Sequence, residues 1–362
     1  MNSKSLIAKL IKDIQASSVE GLNIMEVCGT HTQAISKLGI RELVFPKINL
    51  LSGPGCPVCV TPISYIDAAI ELLNKENVIL ATFGDLMRVR GTSENLINQR
   101  EKGKKIQIIY SPLDVLKIAK DNRNAEVVFL AVGFETTAPL VALSIETAKN
   151  NNINNVSFFT SLKSMKPVMD RILKDKHHQI GGIICPGHVA VVKGAEYFRF
   201  ISEEYNIPAV VAGFEALDIL GAIHFLVHQH NGKKRSFENL YKRCVTPQGN
   251  LFANKLMEQV FSLYSSEWRS IGNIEKSAFY IKDKYEDYDS LKKFDIEIKG
   301  NTNDQNCICS EILLGRKLPN LCRLFGTSCK PESPIGPCMV SSEGSCAVFY
   351  KYQKNRVNEG HY

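Results

Sequence analysis

The sequence predicts an α/β protein: two related lobes on parallel sheets, then a loop-rich, cysteine-dense C-terminal domain. Three observations lead there. Short, nearly all-apolar runs alternate with segments of helical length, as buried parallel strands and their covering helices do. Polar motifs stand at the ends of those runs and recur in the same order. Six of the eleven cysteines fall between Cys307 and Cys346, in a stretch with little periodicity.

The elements follow in chain order. Leu6, Ile7, Leu10, Ile11 and Ile14 mark one face of an amphipathic helix at the N-terminus. That stretch lacks the apolar core and small-residue cleavage site of a signal peptide. Eight strands are expected, at Asn23–Val27, Asn49–Leu51, Val78–Thr82, Ile106–Tyr110, Val127–Val132, Val156–Thr160, Gly182–Cys185 and Ala209–Ala212. Lys282–Asn306 is charged and turn-rich and reads as a surface excursion. Beyond it, a region rich in Pro, Gly and Cys buries little apolar area, so a metal centre is a natural staple. We place domain spans at 20–120, 121–240 and 241–362, with the N-terminal helix 1–19 packed on the last.

Composition narrows the function. The chain of 362 residues is 44% hydrophobic and 22% charged, as ordinary soluble proteins are. Its longest apolar run is strand-sized, so no membrane span is expected. The net charge of +7 is scattered rather than striped with aromatics, which argues against nucleic-acid binding. With no export signal the expected compartment is cytoplasmic and reducing, where clustered cysteines act as metal ligands or redox groups.

The motifs carry the chemistry. Cys28 ends a strand and is followed by Gly29-Thr30-His31-Thr32. A thiolate beside an imidazole or a helix N-terminus ligates metal well, whereas a lone buried cysteine is more often packing. Gly53-Pro54-Gly55-Cys56-Pro57-Val58-Cys59 holds two thiols at the spacing of a redox pair or half a zinc site. A matching second pair at zinc-finger spacing is missing, which favours redox. The turns after later strands carry Asp85, Glu135 within Gly133–Pro139, His188 after Pro186-Gly187, and Glu215. By chemistry alone each reads equally as a structural turn residue. Three of these motifs echo three earlier ones in order, which suggests the two related lobes. The C-terminal array is Cys307, Cys309, Cys322, Cys329, Cys338 and Cys346. Four thiolates are what a [4Fe-4S] cluster needs, and zinc is the alternative. Irregular spacing and a second thiol motif favour iron–sulfur.

Together these stretches, with Gly336-Pro337-Cys338 through Cys346, resemble the hydrogenase maturation factor HypD family over about residues 20–350. The resemblance implies a cytoplasmic scaffold for the Fe(CN)2CO unit of [NiFe]-hydrogenase. It implies two partners, a HypC-type chaperone that shares the iron and a HypE-type protein that delivers cyanide. It also implies two α/β domains and a third holding a [4Fe-4S] cluster. On this chain Cys28 becomes the iron ligand and Cys56 and Cys59 a redox-active pair. His31, Asp85, Glu135, His188 and Glu343 become polar groups near the iron. For the cluster we assign Cys322, Cys329, Cys338 and Cys346, with Cys307 and Cys309 as alternates. Two other classes compete: an iron–sulfur thiol–disulfide oxidoreductase and a structural zinc adapter.

Overall fold

A computed structural model describes residues 3–298 and 307–357. Its strands are β1 (Leu22–Glu26), β2 (Ile48–Ser52), β3 (Val78–Thr82), β4 (Ile106–Ile108), β5 (Glu126–Gly133), β6 (Val156–Lys163), β7 (Gly182–Pro186), β8 (Ala209–Ala212), β9 (Phe237–Asn239), β10 (Phe261–Trp268) and β11 (Gly272–Ile281). They form two sheets with the orders β2-β1-β7-β8-β9 and β10-β11-β6-β5-β3-β4. The first sheet is parallel throughout, and so are β3, β4, β5 and β6 in the second. All eight strands read as apolar runs are present, within a few residues at their ends.

Three strands escaped the sequence reading. Strands β10 and β11 form an antiparallel hairpin, and β11 lies antiparallel to β6. Much of β10 is exposed, including Leu263 and Tyr264. Antiparallel strands can leave one face in water, so no unbroken apolar run announces them. Strand β9 is a three-residue edge strand.

The chain folds into two compact units. One comprises Met1–Cys56, Met169–Asn250 and Asn306–Tyr362, and the other Pro57–Val168 and Leu251–Gln305. The consecutive spans drawn from the sequence therefore do not coincide with the units. The reason lies in the sheet order: β1 and β2 pair with β7 and β8, from far along the chain, in one sheet. The motif echo divides likewise, because the turns after β2 and β7, one echoing pair, belong to the same unit.

In the first unit the N-terminal helix Ser3–Gln15 uses the face expected of it. Ile14 is fully buried, and Ile7, Leu10 and Ile11 pack beside it. Their partners include Ile40 and Val44, and Ile219, Ile223 and Leu226 of the helix Ala216–Asn231. The helix thus covers the sheet core rather than the span 241–362, because that core offers the apolar surface its stripe requires.

In the second unit the core is built on β3, β5 and β6, with Phe129, Phe158 and Phe159 fully buried. The stretch read as an excursion is ordered there as far as residue 298. It forms a 3-10 turn at Asp283–Tyr288 and a short helix at Ser290–Phe294, and it buries Tyr285, Tyr288 and Ile296. Its charges are outward-facing Lys and Asp around three buried apolar anchors, a balance composition alone hides. The rest of that stretch, 299–306, lies outside the described residues.

Candidate metal-handling site

Cys28 ends the loop from β1 and occupies the N-cap of the helix Gly29–Lys37, in an extended conformation. Gly29 packs closely against another chain segment: a Cβ there would lie 2.6 Å from Cβ of Glu343. The Cys28 thiol is buried. Burial pushes it up to about 12, and the carboxylates of Glu26 and Glu343 add to that. Backbone N–H groups of His31 and Thr30 act the other way, favouring the thiolate, although no capping hydrogen bond is formed. A helix N-terminus carries partial positive charge, so the thiol sits where an anion is welcome but water is scarce.

Glu26 lies beneath it, fully buried, and accepts from Thr32 Oγ1 at 2.6 Å and from Cys28 N at 3.1 Å. Burial raises its carboxyl to about 7 against those hydrogen bonds. Sequence reading passed over Glu26 because it sits inside a strand. The signal was there: an acidic residue directly after the apolar pair Ile24-Met25, two before the cysteine.

The Gly53–Cys56 loop presses on the same point. Gly53 N donates to Glu26 O at 2.7 Å, and Gly29 N donates to Gly55 O at 3.1 Å. A Cβ on Gly55 would lie 2.4 Å from Cys28 N and 2.5 Å from its Cα. Only glycine permits that approach. Cys56, the next residue, is buried in the same unit. The boundary between units falls after it, so Cys59, also buried, belongs to the other unit.

His31 is wholly buried, and its Nε2 lies 2.9 Å from the Gly213 carbonyl. A carbonyl only accepts, so Nε2 carries the proton and Nδ1 holds the lone pair. Nδ1 has no hydrogen-bond partner among the described residues. Burial lowers the imidazole to about 4, which keeps it neutral. Phe214, beside Gly213, stacks on His188 at 4.1 Å between centroids and meets His31 at 4.6 Å. His188 opens the helix Gly187–Lys193 after β7.

Glu343 reaches the Cys28 helix from the C-terminal segment. It accepts from Thr30 Oγ1 at 2.9 Å, while Gln33 Nε2 donates to Ser342 O at 3.1 Å. The final helix, Ser345–Val357, follows directly. Cys28, His31, His188 and Glu343 are therefore gathered in one place. Asp85 and Glu135 belong to the other unit. Asp85 opens a 3-10 turn after β3, half-buried. Glu135 is fully buried and accepts from Ser164 Oγ at 3.0 Å and Met165 N at 2.8 Å, at the start of the helix Met165–Leu173. That arrangement anchors a helix.

The six C-terminal thiols all lie in the first unit, each with at least one neighbour among the others. Cys309 Sγ and Cys338 Sγ are 2.7 Å apart and buried. A hydrogen bond from Cys307 lowers Cys309, but contact with Cys338 and burial outweigh it and hold Cys309 well above the usual thiol range. Cys346 is raised by burial, then by the nearby Cys307, Cys329 and Cys322. Cys329 Sγ accepts from Ile335 N at 3.3 Å. A Cβ on Gly336 would lie 2.5 Å from Cys307 Sγ. Among the described residues, no three His, Cys, Asp or Glu side chains stand close enough to share one metal ion. The six sulfurs on one segment offer the all-thiolate donor set that a [4Fe-4S] cluster takes.

Fold and site together define a thiol-rich α/β protein that holds a buried cysteine at a strand end and a cysteine array on its C-terminal segment. Comparison with known proteins is specific. The family described as HypD, hydrogenase formation hypA family, matches residues 5–353. The hydrogenase maturation factor HypD of Azotobacter vinelandii is 41% identical over 340 residues, covering 92% of this chain and 90% of that protein. HypD of Escherichia coli K12 is 39% identical over 334 residues, covering 92% and 90%. A putative hydrogenase expression/formation protein of Methanocaldococcus jannaschii is 40% identical over 357 residues, covering 98% and 99%. The chain belongs to the HypD family of hydrogenase maturation factors. No helix among the described residues is long and apolar enough to cross a membrane.

Proposed function

We propose that this protein is the cytoplasmic scaffold on which the Fe(CN)2CO unit of [NiFe]-hydrogenase is assembled. Iron is its cargo, held by Cys28 together with a thiolate of a HypC-type chaperone. Cyanide arrives from a HypE-type protein. The observation that carries this reading is the setting of Cys28: a buried thiol at a helix N-terminus, roofed by Glu343 and flanked by the Gly55–Cys56 loop. Burial keeps the thiol protonated until a soft cation displaces the proton, since metal binding and thiol deprotonation are coupled. Glu26, bonded to the Cys28 amide and titrating near 7, is suited to take that proton.

Cyanide delivery is reductive. The S–CN bond of a carrier thiocyanate breaks, the carrier leaves as a thiol, and cyanide goes to iron. The two electrons come from Cys56 and Cys59, which close to a disulfide and release two protons, one of them to the carrier thiol. A [4Fe-4S] cluster, when bound, supplies single electrons. The six thiols neighbour one another as a single group, Cys346 beside Cys307, Cys309, Cys322 and Cys329, and Cys309 beside Cys307 and Cys338. The cluster's proposed ligands are Cys322, Cys329, Cys338 and Cys346, with Cys307 and Cys309 as alternates. Substituting Cys28→Ala should leave a folded protein that still co-purifies anaerobically with its small chaperone but carries no iron beyond the cluster's. Equal iron content in wild type and variant would contradict the assignment.

A further inference from the structure

The turn Gly213–Glu215 touches both histidines of the site, yet its own anchor lies outside it. Arg243 Nη1 and Nη2 donate to Asp218 Oδ1 and Oδ2 at 2.7 and 2.6 Å, a paired geometry. Asp218 Oδ2 also accepts from Glu215 N at 3.2 Å, as half of a capping box that opens the helix Ala216–Asn231. The same oxygen crowds Gly213: a Cβ there would lie 2.2 Å from it and 2.7 Å from the Tyr241 ring. Tyr241 stands edge-on to Phe214 at 6.1 Å, and the Arg243 guanidinium lies 4.7 Å over Tyr241. Although burial pushes Asp218 up, the hydrogen bonds from Arg243 and Glu215 hold it below the usual carboxylate range. One carboxylate thus ties a surface arginine to a turn, a glycine and two aromatic rings.

We propose that Asp218 and Arg243 are positioning residues for the metal-handling site. Their ion pair locks the turn whose Gly213 carbonyl fixes the proton of His31 on Nε2 and whose Phe214 ring seats His31 and His188. The surface pair alone has little worth for stability. Its effect here is orientational: it decides which nitrogen of His31 keeps the lone pair. That His31 and His188 serve the iron cargo rests on the function proposed above; the clasp itself does not.

The test is nitrogen NMR on the full chain, ¹⁵N-labelled at histidine, with His31 assigned from His31→Gln. Wild type should show His31 as a single Nε2–H tautomer with a slowly exchanging ring proton. In Arg243→Gln that proton should exchange at least tenfold faster, the two tautomers should mix, and the His188 ring signals should shift as Phe214 moves. Arg243→Lys should restore most of the protection. Wild-type signals for both histidines in a folded Arg243→Gln would overturn the proposal. Should that variant fail to fold, Asp218→Asn, which keeps the size of the side chain, is read the same way, and unchanged signals there overturn it. A wild-type protein that binds no iron cargo would remove the proposed function and leave this readout intact.

Discussion

At the residue scale, what marks this protein is how many ionisable groups are buried with few partners. Sequence made the cysteines legible, because thiols in Gly- and Pro-rich turns are conspicuous. It left Glu26, Asp218 and Arg243 silent, since each acts through a partner that the fold brings to it: a backbone N–H for Glu26 and Asp218, and the Asp218 carboxylate for Arg243. Lys163 was equally silent, a charged residue closing an apolar strand. It is 2% exposed and donates to Ser266 Oγ at 2.5 Å and Glu267 O at 2.7 Å. Burial lowers its ammonium to about 7 from the ordinary 10.5. The folded state therefore prefers the neutral amine, and the unfolded chain binds the extra proton between those values. Its contribution to stability is present above pH 10.5 and is lost as pH falls toward 7. Each unit of pH in that window is worth up to about 1.4 kcal/mol. Urea unfolding at pH 9 and pH 7 should show Lys163→Met lacking about 2 kcal/mol of the loss seen in wild type. Equal losses in the two proteins would show that Lys163 stays charged.

Elements explain why the site assembles. The parallel strands β1, β2, β7 and β8 lie side by side, and the turns at their carboxyl ends carry Cys28, Cys56, His188 and Phe214. Parallel sheets gather ligand-binding turns at one edge, so the strand-end positions of the motifs were a sound guide to the fold. Sequence order misled about grouping: β1 pairs with β7 across more than a hundred and fifty residues, a pairing no local pattern encodes. The terminal helix Ser345–Val357 lacks the one-sided apolar stripe that announces a helix in sequence, so the segment looks loop-like there. The turn before it is tied down by Thr30 and Gln33 on the Cys28 helix. Glu343→Gln should weaken the Thr30 hydrogen bond by about 1 kcal/mol and speed amide exchange across residues 341–353. Unchanged exchange there, by mass spectrometry, would mean that packing alone holds the segment.

On the scale of the whole molecule, the C-terminal segment returns to the unit that begins the chain, so the thiol array and Cys28 share one core. The fold class was legible from alternating apolar runs; the interleaving of units was not, because it depends on long-range strand pairing. Choosing four ligands from six thiols was likewise beyond spacing, and all six stand in one group in the fold. Under the proposed assignment Cys338→Ala should lower cluster iron and labile sulfide several-fold, while Cys307→Ala should keep both. The reverse pattern would place Cys307 in the ligand set and release Cys338. The central claim is that Cys28 anchors iron carrying cyanide and carbonyl. Infrared spectra of the anaerobically isolated complex test it most directly. Wild type should show cyanide and carbonyl stretching bands that vanish in Cys28→Ala; bands that persist unshifted in that variant would contradict the account.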